Sequence, residues 1–415
     1  MRSTSTASPA PASRHLVVAP ALGIPEAAGA AVLAAVRKRG PVARDVVAKL
    51  TALSIATVNR QVGALLDSGL VRERPDLAVS GAVGRPRVPV EINHQPFVTL
   101  GVHIGARSTS IVATDLLGRS LDAIETPTPQ GGSAVALAAL ADTAQHYLRR
   151  WRRRRVLWVG VAVGGIVDSG AGTVTHPRLG WCSAPVGAVL AERLGLRVSV
   201  ASHVDAMAAA ELILGSSPSG RRFASPAATT TLYVYARETV GYALVIGGKV
   251  HTPGRGPGSI AGLPVRRDLL GEPATLEAAV SDDAVLRAAR AMRIELPDPS
   301  VAAMVQTARA GHAAARTVLA RRAGVLGEAI ALLADLLNPD SVVVGGQAFT
   351  SYPEAMAEVA NSFRRQVTVS GKDIRVTIFG DNVQAAGAGI VSLSVLYADP
   401  VSAMRRIGPA PAVSG

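Results

Sequence analysis

Apolar positions along this chain follow two different rhythms. Up to about residue 70 they recur three or four apart, the spacing of amphipathic helices; from Val98 they gather into short runs, the habit of strands. Residues 27–39, AAGAAVLAAVRKR, predict an Ala-rich helix that stops at the breaker pair Gly40-Pro41. A second short helix is predicted from Ala43 to about Leu50. In TALSIATVNRQVGALLDSGLVRE, Ser54 suits an N-cap, because its hydroxyl can accept a bond from an otherwise unsatisfied first-turn amide. Ile55, Val58, Val62, Leu65 and Leu66 then form an inward stripe, leaving Ala56, Thr57, Asn59, Arg60 and Gln61 outward. Gly69 ends this helix, Leu70 to Glu73 begin a strand, and VPVEIN (88–93) alternates back as its partner. Between the two strands, AVSGAVGRPRV carries Arg85 and Arg87 around Pro86.

Helix, turn, helix and basic hairpin in that order predict a winged helix-turn-helix over residues 23–95. The short or hydrogen-bonding side chains of Ser54, Ala56, Thr57, Asn59, Arg60 and Gln61 sit at a helix start, where they suit the major groove. Arg85 and Arg87 on a glycine-flanked tip suit phosphate or minor-groove contact. The other reading of the same pattern is an exposed basic hairpin on a helical protein-interaction module.

From Val98 the stretch FVTLGVHIGARSTSIVATDLLGRSLDAIETPT gives three consecutive strand-like runs. A helix over about 133–150, the strand WVGVAVGGIVD, the helix PVGAVLAERLG, the strand RVSVAS and a helix from Asp205 follow. TTTLYVYARE, VGYALVIGGKV, SVVVGGQAF and IRVTIFG repeat the theme later in the chain. Strand hairpins followed by alternating strands and helices, twice over, predict a duplicated α/β fold with a cleft between its lobes. The expected boundaries are 96–215 for the first lobe, with a helix at about 382–399 packing back on it, and 216–381 for the second. Residues 1–22 and 400–415 are expected to be a disordered and a flexible tail.

Composition narrows the class. The one cysteine, Cys182, excludes an intramolecular disulfide and a Cys-pair zinc site. The longest apolar runs, such as VLWVGVAVGGIV (156–167), are too short to span a bilayer, and MRSTSTASPAPAS has neither an apolar core nor a cleavage pattern. A soluble, cytoplasmic protein is therefore expected. A formal charge of +13 favours a polyanionic partner. Residues 1–94 hold 12 Lys/Arg against 6 Asp/Glu, and RRWRRRR (149–155) forms a second basic block, expected to be a solvated helix end.

The helix-turn-helix followed by GVHIGARSTSIVATDLLG, VGVAVGGIVD, LGWCSAPVGAVLAERLGL and NPDSVVVGGQAF resembles the ROK family of repressors, open reading frames and sugar kinases, in register from about Ala27 to Tyr397. The resemblance implies a two-lobed, actin-like sugar-kinase (RNase H-like, duplicated) body behind the winged helix. Family members with the extra domain are typically regulators of carbohydrate use; those without it are ATP-dependent sugar kinases. Where the kinases have their first phosphate loop, D-[IL]-G-G-T, this chain has His103-Ile104-Gly105-Ala106-Arg107. The glycine-rich second loop is Ala236-Arg237-Glu238-Thr239-Val240-Gly241, and the catalytic E-N-D is Ala201-Ser202-His203. Ser259 and Gly262 stand where the family has Glu and His, and no cysteine occupies the family's zinc motif. Glu277 falls where the family has a sugar-binding Glu, and Gly164-Gly165 and Gly345-Gly346 are kept, the second pair facing adenine in the kinases.

Phosphoryl transfer needs a phosphate cradle, a metal and a group that orients the attacking hydroxyl. Departures at all three elements predict a non-enzyme: a DNA-binding regulator with no cofactor and no metal, binding a double-stranded operator as a homodimer or homotetramer. Its degenerate kinase body is expected to sense a sugar or sugar derivative through Gly165, Ser202, His203, Ser259 and Glu277. The alternatives are a divergent ATP-dependent sugar kinase with an appended DNA-binding module, and a ligand-independent architectural DNA binder.

Overall fold

The computed structural model describes residues 16–78, 88–215, 229–253, 258–369 and 371–408. Arg85 and Arg87 lie outside these residues. The chain divides into two compact units, Met1–Ala206 with Ala385–Gly415, and Met207–Gln384.

In the first unit, α1 (Ala28–Arg39), α2 (Arg44–Thr51) and α3 (Ile55–Asp67) precede a hairpin of β1 (Val71–Glu73) and β2 (Val90–Ile92). The hairpin is antiparallel, with Val71 opposite Ile92 and Arg72 opposite Glu91. Val58, Val62 and Leu65 of α3 and Val32, Leu33 and Val36 of α1 are buried, so the predicted stripe becomes the core of a winged helix.

Next comes a sheet of β3 (Phe97–Ile104), β4 (Ser108–Thr114), β5 (Ser120–Pro127), β6 (Arg155–Val163) and β10 (Val198–Ser202), in the order β10-β6-β3-β4-β5. A small three-stranded sheet of β7 (Ile166–Asp168), β8 (Thr173–His176) and β9 (Trp181–Ala184) hangs from it. Every residue of β3 is buried, the signature of a strand covered on both faces. On one face Val98, Leu100, Val102 and Ile104 meet α4 (Ser133–Leu148) and α5 (Val186–Leu194). The opposite face carries Gly101, Gly160, Ala162 and Ala201, small residues that let another helix come close. The unit's first stretch ends inside α6 (His203–Leu214).

The second unit is built on β11 (Thr230–Ala236), β12 (Val240–Ile246), β13 (Lys249–Val250), β16 (Ser341–Gly345) and β17 (Ile374–Val376), in the order β13-β12-β11-β16-β17, beside a small pair β14 (Pro264–Val265) and β15 (Ala274–Thr275). Its helices are α7 (Leu276–Val280), α8 (Asp282–Ala291), α9 (Val301–Arg309), the 25-residue α10 (Ala313–Leu337), α11 (Gln347–Thr350) and α12 (Met356–Gln366). Leu326, Ile330 and Ala334 of α10 join Leu232, Val234, Val342 and Val344 in one core.

The chain then returns to the first unit through α13 (Val383–Ala398) and α14 (Pro400–Ile407). α13 is the helix that fills the small-residue face: Ala388 and Val391 cluster with Val112, Ala162 and Ala201, and Ser392 Oγ bonds Thr99 Oγ1 at 2.7 Å. α14 packs on α1 and α3 of the winged helix.

Four expectations need correction. Residues 400–407 are helix rather than flexible tail, because Asp399 caps the Ser402 amide and Pro400 takes a first-turn position that needs no donor. Residues 16–22 are ordered: the Val18 amide donates to Val198 O at 2.9 Å, and Ser199 Oγ to Val18 O at 2.7 Å, so the segment docks on the open side of β10. The winged helix is not a separate body but part of the first unit, joined by α14 and by Arg37, whose guanidinium lies 4.9 Å over the Tyr397 ring. The unit boundaries fall at 206/207 and 384/385, inside helices rather than at 215/216 and 381/382. No single helix among the described residues is long and apolar enough to cross a membrane.

Candidate functional site

The start of α3 is the first candidate. Ser54 Oγ accepts the Thr57 amide at 3.1 Å and shares a 2.9 Å bond with the Thr57 hydroxyl, so both hydroxyls sit together at the helix mouth. Ala56, Asn59 and Arg60 are exposed. Arg44 ties α2 to this surface, bonding Glu73 at 2.8 Å and Asn59 Oδ1 at 3.5 Å. Gln61 departs from its outward expectation: it is half-buried, its amide oxygen against Gly29 of α1. Ile55, expected inward, is 49% exposed at the very start of the helix. The reason is positional, since the first turn projects beyond the α1 contact and the inward stripe begins only at Val58. Sequence spacing missed Ile55 as a surface group, and an apolar side chain there suits a thymine methyl. The root of the wing is braced by Arg72 and Arg74 on Glu91, at 2.7 and 2.9 Å.

The second candidate lies at the carboxyl ends of three adjacent parallel strands of the first unit. His103 on β3 is level with Ala162 on β6 and Ala201 on β10. One or two residues on, the chain reaches Gly164, Ser202 and His203. The His103 and His203 rings stack with centroids 5.7 Å apart. A methyl group built on Gly164 would sit 3.1 Å from His176 Nε2 and 3.8 Å from His203 Cε1, so three imidazoles gather round the Gly164-Gly165 turn. Gly165 needs its φ of +85°, a conformation that favours glycine. His176, at the end of β8, was invisible to sequence reasoning; only its place in TVTHP, before a proline, marked the end of a strand. It is buried, and its Nδ1 meets no hydrogen-bond partner among the described residues. Among those residues no group of three His, Cys, Asp or Glu is placed to hold a metal ion.

Electrostatically this cluster is the reverse of a carboxylate site. Burial, with His176 nearby as a like charge, pushes His203 down to about 4. His176 is lowered by burial first and then by Arg178. An unfolded imidazole titrates at about 6.5, so between the two values the unfolded chain binds the additional proton and stability falls as pH drops. The expected result is a melting temperature that declines from about pH 6.5 toward pH 4, with a shallower decline in His203→Gln. Thermal melts across that range check it, and equal slopes in both proteins would contradict it.

In the second unit, Ser259 is exposed and its Oγ accepts the Ala261 amide at 3.3 Å. Glu277 is half-buried in α7 and accepts the Val240 amide at 3.3 Å, which makes it a brace for the start of β12. The turn that replaces the glycine-rich loop is closed by the Arg237 amide on Thr239 O at 3.0 Å. Arg237 reaches Gln384 Oε1 at 2.9 Å, and Gln384 donates to Tyr235 Oη at 2.7 Å. Gly345 lies against the Tyr233 hydroxyl and Gly346 against the Tyr235 ring, both tyrosines being buried. These two glycines are therefore required by aromatic neighbours. The pocket candidates fall into two sets, Gly165, Ser202 and His203 in the first unit and Ser259 and Glu277 in the second.

The ROK family model matches residues 99–394. A transcriptional regulator of Mycobacterium bovis is 63% identical over 409 residues, 95% of this chain and 92% of that protein. The DNA-binding transcriptional dual regulator NagC of Escherichia coli is 23% identical over 333 residues, 77% of this chain and 80% of the relative. A solved ROK family transcriptional regulator, a homolog of the E. coli MLC protein, matches with a TM-score of 0.74 and 20% identity over 91% of this chain and 98% of its own. The ROK family glucokinase from Streptomyces griseus, in complex with glucose and AMPPNP, has a TM-score of 0.61 and 21% identity over 71% of this chain and 99% of its own. At those identities the two structures establish the fold. By the family model and by near full-length identity to the mycobacterial regulator, the chain belongs to the ROK family.

Proposed function

We propose that the protein is a cytoplasmic, sequence-specific DNA-binding transcriptional regulator whose kinase-like body dimerises, senses a sugar-type effector and transfers no phosphate. The observation that carries this reading is a winged-helix core of α1 to α3 and the β1–β2 hairpin, joined to a kinase-like body that has Ala201-Ser202-His203 at the position of the kinases' catalytic motif. On the DNA side, Ser54, Ile55, Ala56, Thr57, Asn59 and Arg60 face a base edge or phosphate, and Arg85 and Arg87 supply wing contacts. Gln61 acts from the flank of α3. On the body side, imidazoles stand where the kinases have carboxylates, and the turn at Arg237 is closed by its own backbone. Tyr233 and Tyr235 cover the glycine pair that faces adenine in kinases. The names of the relatives agree: two are regulators, and one is described as DNA-binding.

Fluorescence anisotropy on duplex DNA from upstream of the protein's own gene, against a scrambled duplex and across a salt series, tests this. Tighter binding to the native fragment with a steep salt slope is expected. Asn59→Ala is expected to relax the preference by about 1–3 kcal/mol, while Arg85→Ala with Arg87→Ala weakens both duplexes alike. Equal, weak binding to both duplexes, or ATP turnover with a sugar panel, would overturn the proposal.

A further inference from the structure

The basic run Arg149 to Arg155 divides into two halves that do different things. Arg150 is committed to Asp122 at 2.9 Å and lies over the Tyr147 ring. Arg154 lies over Trp151 and donates to His94 O and Phe97 O, both at 3.5 Å. Arg155 donates to Gly408 O. These three are held by partners within the chain, although Arg150 is itself exposed. Arg149, Arg152 and Arg153 are exposed and form no ion pair with any described residue. Such a cluster of unpaired like charges costs self-repulsion in the free protein and is relieved by a polyanion.

Its place in the fold says which polyanion. His94 and Phe97 belong to the segment that leaves the wing strand β2 and enters β3, so Arg154 fixes the run to the root of the winged helix. Arg197 donates to Arg406 O at 2.9 Å, and with Arg155 on Gly408 this brings the cationic end of α14 to the same corner. Arg405 and Arg406 there are also exposed, and α14 packs against α3 itself. The whole set lies in one compact unit with the recognition helix. A membrane surface fits poorly, because anchoring needs apolar side chains beside the charge, and no large hydrophobic is exposed between Val135 and Ile166.

We infer that Arg149, Arg152 and Arg153, with Arg405 and Arg406, form a second phosphate-contacting surface that engages duplex DNA beyond the stretch held by the winged helix. The inference rests on the DNA-binding reading above. It assigns these side chains affinity and footprint length, not sequence choice, since phosphate contacts position a protein without reading bases.

The test compares the full-length protein with R149Q/R152Q/R153Q, on the upstream duplex extended by ten base pairs at each end and on the same duplex trimmed to the winged-helix site. Each lost phosphate contact flattens the log–log salt slope by about 0.9, so the triple variant is expected to be shallower by about 2.7 on the extended duplex. It should match the parent on the trimmed one, with an unchanged ratio of native to scrambled binding and an unchanged melting temperature. The single variants, each shallower by about 0.9, keep the test open if the triple variant folds poorly. A parent that prefers the native duplex while the variants leave the extended-duplex slope unaltered would overturn this surface and spare the DNA-binding reading. Equal losses on both duplexes would also overturn it, pointing to a general field effect, and a cluster that captures only an acidic protein would do the same. A parent indifferent to sequence would remove both.

Discussion

Gly160→Val is expected to cost about 3 kcal/mol or more, the upper end of overpacking effects, because the obstacle is backbone. Gly160 sits at the middle of β6, held between β3 and β10 by ladders on both sides, so it has little room to shift. A Cβ there would fall 2.6 Å from the Val391 carbonyl carbon and 2.7 Å from Ser392 Cα of α13. Gly101 faces the same helix, with its Cβ position 2.7 Å from the Ala388 carbonyl carbon and the Gly389 amide. The midpoint of urea unfolding measures the loss, and Gly132→Ala, at a position with nothing within 4 Å, is the control. An unchanged midpoint in Gly160→Val would mean that α13 does not close on the sheet as described.

Arg322→Ala is expected to cost about 3–5 kcal/mol, the range for removing one partner of a buried ion pair. Arg322 is 3% exposed and pairs with Asp282 at 2.8 Å. Its guanidinium also donates to Val280 O at 2.7 Å and to Arg237 O at 3.3 Å. One side chain of α10 thereby fastens the end of α7, the start of α8 and the turn at Arg237. Losing it strands the Asp282 carboxylate and the Val280 carbonyl, while Arg237 O keeps the Asp282 amide at 3.1 Å. Arg322→Met with Asp282→Ala removes both charges and is expected to recover part of the loss, since buried pairs and apolar replacements are often close in energy. Thermal melts of the single and double variants read this directly; additive losses would show that the two residues act separately.

Periodicity located α3, its Ser54 cap, the hairpin and the strands around Gly101 and Gly160, because a chain covered on one or both faces writes that burial into its spacing. It failed where burial is decided by distant neighbours. Ile55 belongs to the apolar stripe by spacing, yet the first turn of α3 overhangs its support. Gln61 is polar, yet it lies against Gly29. The Asp399-Pro400 pair that starts α14 is a readable helix signal, passed over in reading 400–415 as a flexible tail. The positions of His103 and His203 were legible through the family motifs. Their union with His176 was not, because β8 reaches the site through a separate small sheet that no motif marks.

The closure of the first unit by α13 and α14 has a consequence for biosynthesis. The sheet that begins at Phe97 receives its covering helix from residues 383–398, and the winged helix gains its brace from 400–407. Domains form as the chain emerges from the ribosome, and contacts so far apart in sequence are made late. A nascent chain must therefore carry an uncovered row of glycines and alanines through the synthesis of the whole second unit. The winged helix, translated before the second unit, is among the last parts to be set in place.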